Sequence, residues 1–274
     1  MITTEIKPKE KRFLRDDIAN IILTDESCRG YVEELISKAL EIDINLIKDK
    51  LELRTPRINS TINSKYSIAD AIYESDDIII NLEVNYNKGR ISEEKNIRYI
   101  SHLVLKQTKT GKINKLKPIN QININNYDVF GKNEFIYRSS IMEEKYHKVR
   151  DNFIKIIDIN VDKLREIPYN KIKEGSLEEL LYIFVCNSLE EINSIALRNK
   201  NMDEVKEKLE KLNEDLDYYL FYDPEELRQE SINEEVIKET KIEIAKVMLE
   251  KNESLDKIIL YTGLSEEEIN ELKD

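Results

Sequence analysis

The chain has 274 residues and a net charge of −12, with 40% hydrophobic and 36% charged residues, so we expect one large domain, or a core domain with a helical appendage, beneath a charged surface. Two cysteines exclude a disulfide framework, two histidines exclude a histidine-rich zinc site, and no stretch approaches the ~20 apolar residues of a membrane helix. Because the opening MITTEIKPKEKRF also lacks the apolar run of a secretory signal, we expect a cytoplasmic protein with no membrane partner.

The first third of the chain predicts two helices followed by a strand hairpin. Apolar residues at helical spacing indicate helices over residues 13–23 and 28–39. Alternating, β-favouring residues indicate a strand over residues 65–74, and Ser75, Asp76 and Asp77 indicate a turn. The run IIINLEVNY (78–86) then indicates a buried strand with polar residues interleaved.

The rest of the chain predicts a helix over residues 91–108, strands over residues 118–125 and 152–161, and helices from residue 177 onward. Residues 176–196 and 203–222 each indicate helices of about four to six turns by their apolar periodicity. Near the end, Gly263 breaks a helix, and Ser265 with Glu268 forms a capping box that starts another.

This order of elements predicts an α/β protein with a mixed β-sheet flanked by helices and an α-helical C-terminal half. We divide it into a core over residues 1–170 and a helical region over residues 171–274 that ends in a small helix-turn-helix. The aromatic cluster near residues 218–222 lies in that region, so a homodimer through the helical half is one partner that we consider.

The charge is unevenly distributed. Residues 202–274 hold 23 acidic and 10 basic residues, a balance of −13, so the rest of the chain is near +1. Nine basic residues against two acidic ones lie between positions 84 and 120: Lys88, Arg90, Lys95, Arg98, Lys106, Lys109, Lys112, Lys115 and Lys117. The segment is either a basic binding face for nucleic acid or a solvated helix face followed by a lysine-rich loop.

Two carboxylates lie on either side of the predicted turn. Asp70 and Glu83 are about equally far from Asp76–Asp77, so an antiparallel hairpin makes them cross-strand neighbours. Two such carboxylates repel each other unless one is protonated or both bind a cation, and a hard ion such as Mg²⁺ or Mn²⁺ prefers oxygen ligands. Such an ion activates water against a phosphodiester. The alternative is that both acids face solvent at a strand edge.

The pattern of Asp70 followed by Glu83-Val84-Asn85 resembles the PD-(D/E)XK nuclease superfamily, and more closely its transposase-like branch, the Rpn-type recombination-promoting nucleases. No single motif is specific; their order and spacing carry the resemblance over most of the chain. The matching stretches are DDIANIILTDE (16–26), KYSIAD (65–70), IIINLEVN (78–85), Arg98-Tyr99, Lys106-Gln107, Gly111, PINQINI (118–124) and the tail around Thr262-Gly263-Leu264-Ser265.

The resemblance implies a restriction-endonuclease-like core and a metal-dependent DNA endonuclease that cleaves double-stranded DNA and is linked to recombination or mobile elements. It implies catalytic Asp70, Glu83 and Asn85, with Mg²⁺ or Mn²⁺ held by Asp70, Glu83 and the Val84 carbonyl. The accessory residues would be Asp16, Lys65, Arg98 and Gln107. The basic segment, if it is a binding face, supplies the expected DNA-binding residues Lys88, Arg90, Lys112 and Lys115.

The chain departs from the family pattern at Asn85, where the superfamily has Lys and this branch often has Gln. Asn20 also stands where a Lys is usual. An asparagine side chain donates and accepts hydrogen bonds but carries no positive charge. Either Lys65 or Lys88 supplies that charge, or catalysis is weakened or lost and the chain is a nuclease-fold module that binds DNA or protein.

Overall fold

The computed structural model describes residues 13–54, 57–58, 67–87, 92–107, 115–150, 153–216, 220–251 and 253–272. Its contacts divide the chain into two compact units, Met1–Pro224 and Glu225–Asp274. The strands of the described residues are β1 (Phe13–Leu14), β2 (Glu52–Arg54), β3 (Arg57–Ile58), β4 (Ser67–Ile68), β5 (Ala71–Glu74), β6 (Ile79–Asn85), β7 (Ile119–Asn125), β8 (Ile136–Ser140), β9 (Met142–Glu143), β10 (Lys148–Val149), β11 (Ile154–Asn160) and β12 (Phe221–Tyr222). The helices are α1 (Asp16–Thr24), α2 (Arg29–Leu40), α3 (Ser92–Gln107), α4 (Leu177–Leu181), α5 (Leu189–Ala196), α6 (Lys200–Leu216), α7 (Pro224–Glu250), α8 (Leu255–Thr262) and α9 (Glu266–Glu271).

A mixed six-stranded sheet organises the first unit, in the order β2-β5-β6-β7-β11-β8. The three central strands β6, β7 and β11 are parallel, and the flanking strands β5, β2 and β8 pair antiparallel to their neighbours. The helix α3 connects β6 to β7, as a parallel pair requires a crossover. The predicted α/β class with a mixed sheet is confirmed.

The two faces of the sheet have different partners because successive strand residues point to opposite sides. On one face, residues such as Ile80, Leu82 and Ile122 join the main core with α1, α2 and the helices that follow the sheet. On the other face, Ile79 and Ile119 pack with Tyr99, Ile100 and Leu103 of α3. The sheet is therefore covered by helices on both sides, and we call the second side the α3 face.

Some predicted helices have different bounds. The expected helix over residues 13–23 begins at Asp16, because Phe13 and Leu14 pair with β12 instead. The long helix expected over residues 176–196 is broken into α4, a short 3₁₀ turn and α5, which Ser188 starts by accepting a hydrogen bond from the Glu191 N–H. The strands β2 and β8 were not predicted; β2 has three residues, all exposed, and therefore little hydrophobic pattern.

The compact unit that contains the sheet extends to Pro224, past the expected division at residues 170 and 171. The Tyr31 hydroxyl of α2 donates a hydrogen bond to the Leu180 carbonyl of α4 at 3.0 Å, and Tyr31 is fully buried. The helices α4 to α6 thus share a core with α2. Whether the helical region acts as a separate functional domain stays a prediction.

The second unit contains the two short helices expected at the C-terminal end. Gly263 has a φ of +66°, the left-handed conformation that ends α8, and the predicted capping box of Ser265 and Glu268 is confirmed at the start of α9. Ala245, Ile258, Leu264 and Ile269 form a small core in this unit. In the described part of the chain, no helix combines the length and apolar character needed to cross a membrane.

The contact between Tyr31 and Leu180 predicts a measurable stabilisation. We expect Tyr31→Phe to lower the free energy of unfolding by about 1 kcal/mol, because it removes one buried hydrogen bond and no carbon packing. Urea denaturation would measure the change. Tyr146→Phe, at a tyrosine that is 73% exposed, is the matched control and should leave the unfolding midpoint unchanged. Equal midpoints for the two variants would contradict a stabilising role for this bond.

Candidate active site: a carboxylate pair on a buried polar array

The hairpin of β5 and β6 brings the two predicted carboxylates together. Its register pairs Ala71 with Leu82, so Asp70, one residue before β5, lies opposite Glu83 of β6. The Asp70 Oδ2 atom accepts a hydrogen bond from the Val84 N–H at 2.7 Å. From the other side, the Asn20 side-chain amide of α1 donates to the Asp70 main-chain carbonyl at 2.7 Å. The loop that carries Asp70 is thereby fixed to both β6 and α1.

Lys95 of α3 forms an ion pair with one of these two carboxylates, Glu83. The Lys95 ammonium lies 2.7 Å from Glu83 Oε2 and donates to Asn85 Oδ1 at 3.4 Å. It also lies 5.6 Å from the centre of the buried Tyr99 ring. Lys95 reaches Glu83 because α3 starts shortly after the end of β6, where Glu83 and Asn85 are, and runs back along the sheet. A positive charge therefore stands beside Asn85, although it comes from a helix rather than from the strand.

Burial raises the pKa of both carboxyl groups, and the charge of Asp70 adds to the shift of Glu83. Glu83 is fully buried, and its pKa rises to about 7, chiefly through loss of solvation and then through the charge of Asp70, while Lys95 and Asn81 oppose the shift. Burial also raises the pKa of Asp70, against the hydrogen bond from Val84 and the charge of Lys95. One positive charge thus only partly compensates the buried Glu83 and the half-buried Asp70.

Glu83 belongs to a set of polar side chains that cover the α3 face of the three parallel strands, which we call the polar array. The registers place its members in three cross-strand rows: Asn81 with Gln121, Glu83 with Asn123 and Asp158, and Asn85 with Asn125 and Asn160. All of them are buried except Asn85, which is half-buried. A sheet face that packs under a helix is usually apolar, so a buried array of amides and carboxylates on this face is unusual, and its side chains need hydrogen-bond partners.

The members of the array other than Asn160 form, together with Lys95, a closed circuit that begins and ends at Glu83. Asn81 donates to Glu83 Oε1 at 3.2 Å and to Gln121 Oε1 at 2.8 Å, and Gln121 donates to Asn123 Oδ1 at 2.8 Å. Asn123 and Asn125 both donate to Asp158 Oδ1, at 2.7 and 3.3 Å.

The circuit closes through the edge of the array that faces Lys95. Asn85 donates to Asn125 Oδ1 at 3.1 Å, and Lys95 links Asn85 back to Glu83. Every bond in the circuit runs from an amide or ammonium donor toward a carboxylate or an amide oxygen. The network therefore fixes the Glu83 carboxylate and the Asn85 amide in place.

A scan against protein-family models, a search of curated proteins and a search of solved structures each found no match to this chain. The resemblance to PD-(D/E)XK nucleases therefore stays a prediction, and the geometry of the site is what bears on function.

The other predicted site residues lie at varying distances from this pair. Asp16 is exposed at the start of α1, one helical turn before Asn20 and therefore on the same helix face. Burial and then the charge of Asp16 raise the pKa of Tyr86, which follows Asn85, so Asp16 lies near the end of β6 that carries the site. The Val84 carbonyl faces the same side of β6 as its N–H, which points to Asp70.

Three predicted residues are not brought to the carboxylates. Arg98 is 68% exposed and pairs with Glu94 at 3.9 Å. Gln107, at the other end of α3, accepts from the Lys117 N–H at 2.6 Å and donates to its carbonyl at 3.2 Å, so it ties α3 to the chain entering β7. Lys115 is exposed in that same segment. Since β6 and β7 are parallel and Ile79 pairs with Ile119, this segment lies at the end of the sheet opposite Glu83.

Four predicted residues, Lys65, Lys88, Arg90 and Lys112, lie outside the described residues. Sequence reasoning missed Lys95 as a site residue, although it counted Lys95 in the basic segment. The sequence did indicate it, because Lys95 lies about one turn into the helix that follows the strand with Glu83. It also missed the polar array, whose signal was the period-two polar pattern in NLEVN, NQININ and IIDIN.

The donor set at the pair suits a hard divalent cation. Asp70 and Glu83 offer carboxylate oxygens and Val84 offers a carbonyl oxygen, and the two acids lie close enough for the charge of Asp70 to add to the effect of burial on the pKa of Glu83. Within the described ranges, no group of three or more Asp, Glu, His or Cys side chains gathers as a metal site. The pair would therefore hold such an ion with few protein ligands.

The raised pKa of Glu83 predicts how stability depends on pH in metal-free buffer. The folded pKa of about 7 exceeds its ordinary value of 4.5, so the stabilising contribution of the protonated group is complete below about pH 4.5 and is lost as the pH rises through about 7. Glu83→Gln stays neutral, so we expect its free energy of unfolding, relative to the parent, to grow between pH 5 and pH 8 by up to about 3 kcal/mol.

Urea denaturation at both pH values, with EDTA present, would measure this difference. Glu94→Gln, at an exposed glutamate on α3, is the matched control and should follow the parent at both pH values. If the difference in free energy of unfolding between Glu83→Gln and the parent is the same at both pH values, the raised pKa of Glu83 is contradicted.

Proposed function

We propose that the chain is a metal-dependent DNA endonuclease-like protein that hydrolyses phosphodiester bonds at Asp70, Glu83 and Lys95. The observation that carries this proposal is the contact of the Lys95 ammonium with buried Glu83 and with Asn85, opposite Asp70. It places a positive charge next to the position where the superfamily pattern has its lysine. A link to recombination or mobile elements rests on the resemblance to the Rpn-type branch alone.

The ion in this proposal is Mg²⁺ or Mn²⁺, held by Asp70, Glu83 and the Val84 carbonyl. When bound there, such an ion would polarise the phosphodiester and promote ionisation of water. The polar array supports this role because it holds the Glu83 carboxylate by hydrogen bonds from a fixed direction, as outer-sphere partners do for metal ligands.

The chain's own residues would position and neutralise the substrate. The Lys95 side chain is 37% exposed, so its ammonium can turn toward a phosphate oxygen without losing all contact with Glu83. Negative charge that develops on phosphate oxygens during attack is stabilised by such a fixed donor. Asn85 has its oxygen near Lys95 and its nitrogen bound to Asn125, so it orients the ammonium rather than replacing it. Lys95 thus takes the role that we expected of Lys65 or Lys88.

One observation favours a second candidate, a nuclease-fold module that binds DNA or protein without cleavage. Asn81 and Lys95 already contact both oxygens of Glu83, so this carboxylate is partly neutralised without a metal ion. In that case the ion pair is structural and the site binds no divalent cation. Double-stranded DNA is the partner of the enzyme, and DNA or a protein is the partner of the module. A homodimer through the helical half stays a separate prediction.

The enzyme proposal predicts that Lys95 and Asp70 are both required for cleavage. We expect Asp70→Ala to abolish Mg²⁺-dependent nicking of supercoiled plasmid and Lys95→Ala to lower its rate by about 10²–10³-fold, since each removes one electrostatic element of the site. Gel assays of plasmid conversion would measure both rates. Asp77→Ala, in the turn of the same hairpin, and Lys48→Ala, at another exposed lysine, are the controls and should cleave at the parent rate. Parent-level cleavage by Asp70→Ala would mean that the site lies elsewhere.

The position of Lys95 also predicts the effect of restoring the family lysine. Asn85→Lys would place a second ammonium beside Lys95, so we expect cleavage to fall or stay unchanged, because like charges in a half-buried site repel. An eroded nuclease whose only defect is Asn85 would instead gain activity. Asn85→Gln, which keeps the amide, is the matched control. A large gain with Asn85→Lys would show that Lys95 does not supply the missing charge.

A further inference from the structure

A cavity of about 270 Å³ opens on the polar array beside the carboxylate pair. Its floor is made by Asn123, Asn125 and Asp158, and its walls include Ile97 of α3 and Phe130 of the loop after β7. Asn85 lines it as well, and the same side chain contacts Lys95. The cavity and the proposed catalytic site therefore share one residue.

The walls of the cavity expose apolar surface that a ligand would cover. Ile97 is 62% and Phe130 is 49% exposed, which is high for large apolar side chains. Phe130 is nevertheless held in place. The Asp128 carboxylate accepts hydrogen bonds from the N–H groups of Phe130, Gly131 and Asn133 and from the Tyr137 hydroxyl, at 2.6 to 3.1 Å. The loop thus presents an aromatic ring at a fixed position. The rings of Phe130 and Tyr137 pack in a T-shaped arrangement with their centroids 4.9 Å apart.

The floor offers hydrogen-bond donors and an acceptor in fixed orientations. The nitrogens of Asn85, Asn123 and Asn125 each donate one bond within the described contacts, whereas an amide nitrogen carries two hydrogens. The Asp158 carboxylate is an acceptor beside them. The edge of a nucleobase has the complementary pattern of adjacent donors and acceptors.

Charge and shape exclude other ligand classes. No lysine or arginine among the described residues lines the cavity, and a carboxylate lies in its floor, so a phosphate or another anion is disfavoured. A purely apolar ligand would leave the second hydrogens of the floor amides without acceptors. A neutral, planar heterocycle with a polar edge satisfies both the walls and the floor.

We propose that this cavity receives one unstacked nucleobase of the DNA substrate, next to the phosphodiester that Asp70, Glu83 and Lys95 act on. This inference rests on the proposed function. The row of Glu83, Asn123 and Asp158 spans neighbouring strands, so the floor lies about 5–10 Å from the carboxylate pair, within the reach of a single nucleotide. The substrate class is then DNA with an unpaired or extrudable nucleotide at the cleavage site, since a paired base cannot enter such a pocket.

The test compares binding of two fluorescein-labelled 12-residue single strands in EDTA, one of thymidines and one with the same backbone made of abasic sites. We expect the parent to bind the base-bearing strand about 10-fold more tightly, because stacking and the floor contacts need a base. Ser139→Leu fills the cavity from β8, and Phe130→Ala removes one wall at an exposed position where folding is not at risk. In both variants, the ratio of the affinity for the thymidine strand to the affinity for the abasic strand should fall close to one. Ser140→Leu is the matched control, because its side chain points to the other face of β8, and should keep the parent ratio.

A parent ratio near one, or a ratio that both cavity variants leave unchanged, would overturn the inference. Asp70→Ala separates this result from the proposed function, since it should lose cleavage and keep the 10-fold ratio. If the parent cuts no DNA but shows a ratio that depends on the cavity, the proposed hydrolysis fails and the base site stands. If Asp70-dependent cleavage is found with a ratio near one, the hydrolysis stands and the base site fails.

Discussion

The ion pair between Glu83 and Lys95 is the interaction on which the rest of the site depends. Glu83 is fully buried beside a second carboxylate, an arrangement that costs free energy unless a cation and hydrogen bonds compensate it. Lys95 provides the charge from the first turns of α3, and Asn81 provides a hydrogen bond from the same strand. Because the lysine is partly exposed while the glutamate is not, the pair is open to solvent at its lysine end.

The sheet can hold such a polar surface because its other face makes the main core. The residues that alternate with the array, such as Leu82, Ile122 and Ile159, are fully buried among the helices on that side. Stability therefore comes mostly from one face, and the α3 face carries a smaller apolar cluster around Ile79 and Ile119, at the start of β6 and β7. At the carboxyl ends of these parallel strands the face becomes polar, which is where open α/β sheets commonly bind ligands.

The polar array also connects two features that would otherwise be separate. The circuit runs from Glu83 through Asn123 and Asp158 to Asn85, and the last three of these line the cavity. A ligand that forms hydrogen bonds with the cavity floor would therefore contact amides that are linked through the circuit to Glu83 and Lys95. Such a network is sensitive to the loss of any member, since each removed side chain leaves a buried neighbour without its partner.

The amino-acid sequence by itself determined the strands β5, β6, β7 and β11, the helix α3, the capping box at Ser265 and the apposition of Asp70 and Glu83, because local periodicity and a short turn set all of these. It did not show that the polar half of each central strand is buried, since a period of two is the same for a solvated face and for a face under a helix. Only the tertiary structure decided that α3 covers this face and that Lys95 reaches Glu83 and Asn85. It also separated Gln107 and Lys115 from the site, because the parallel pairing of β6 and β7 places them at the opposite end of the sheet.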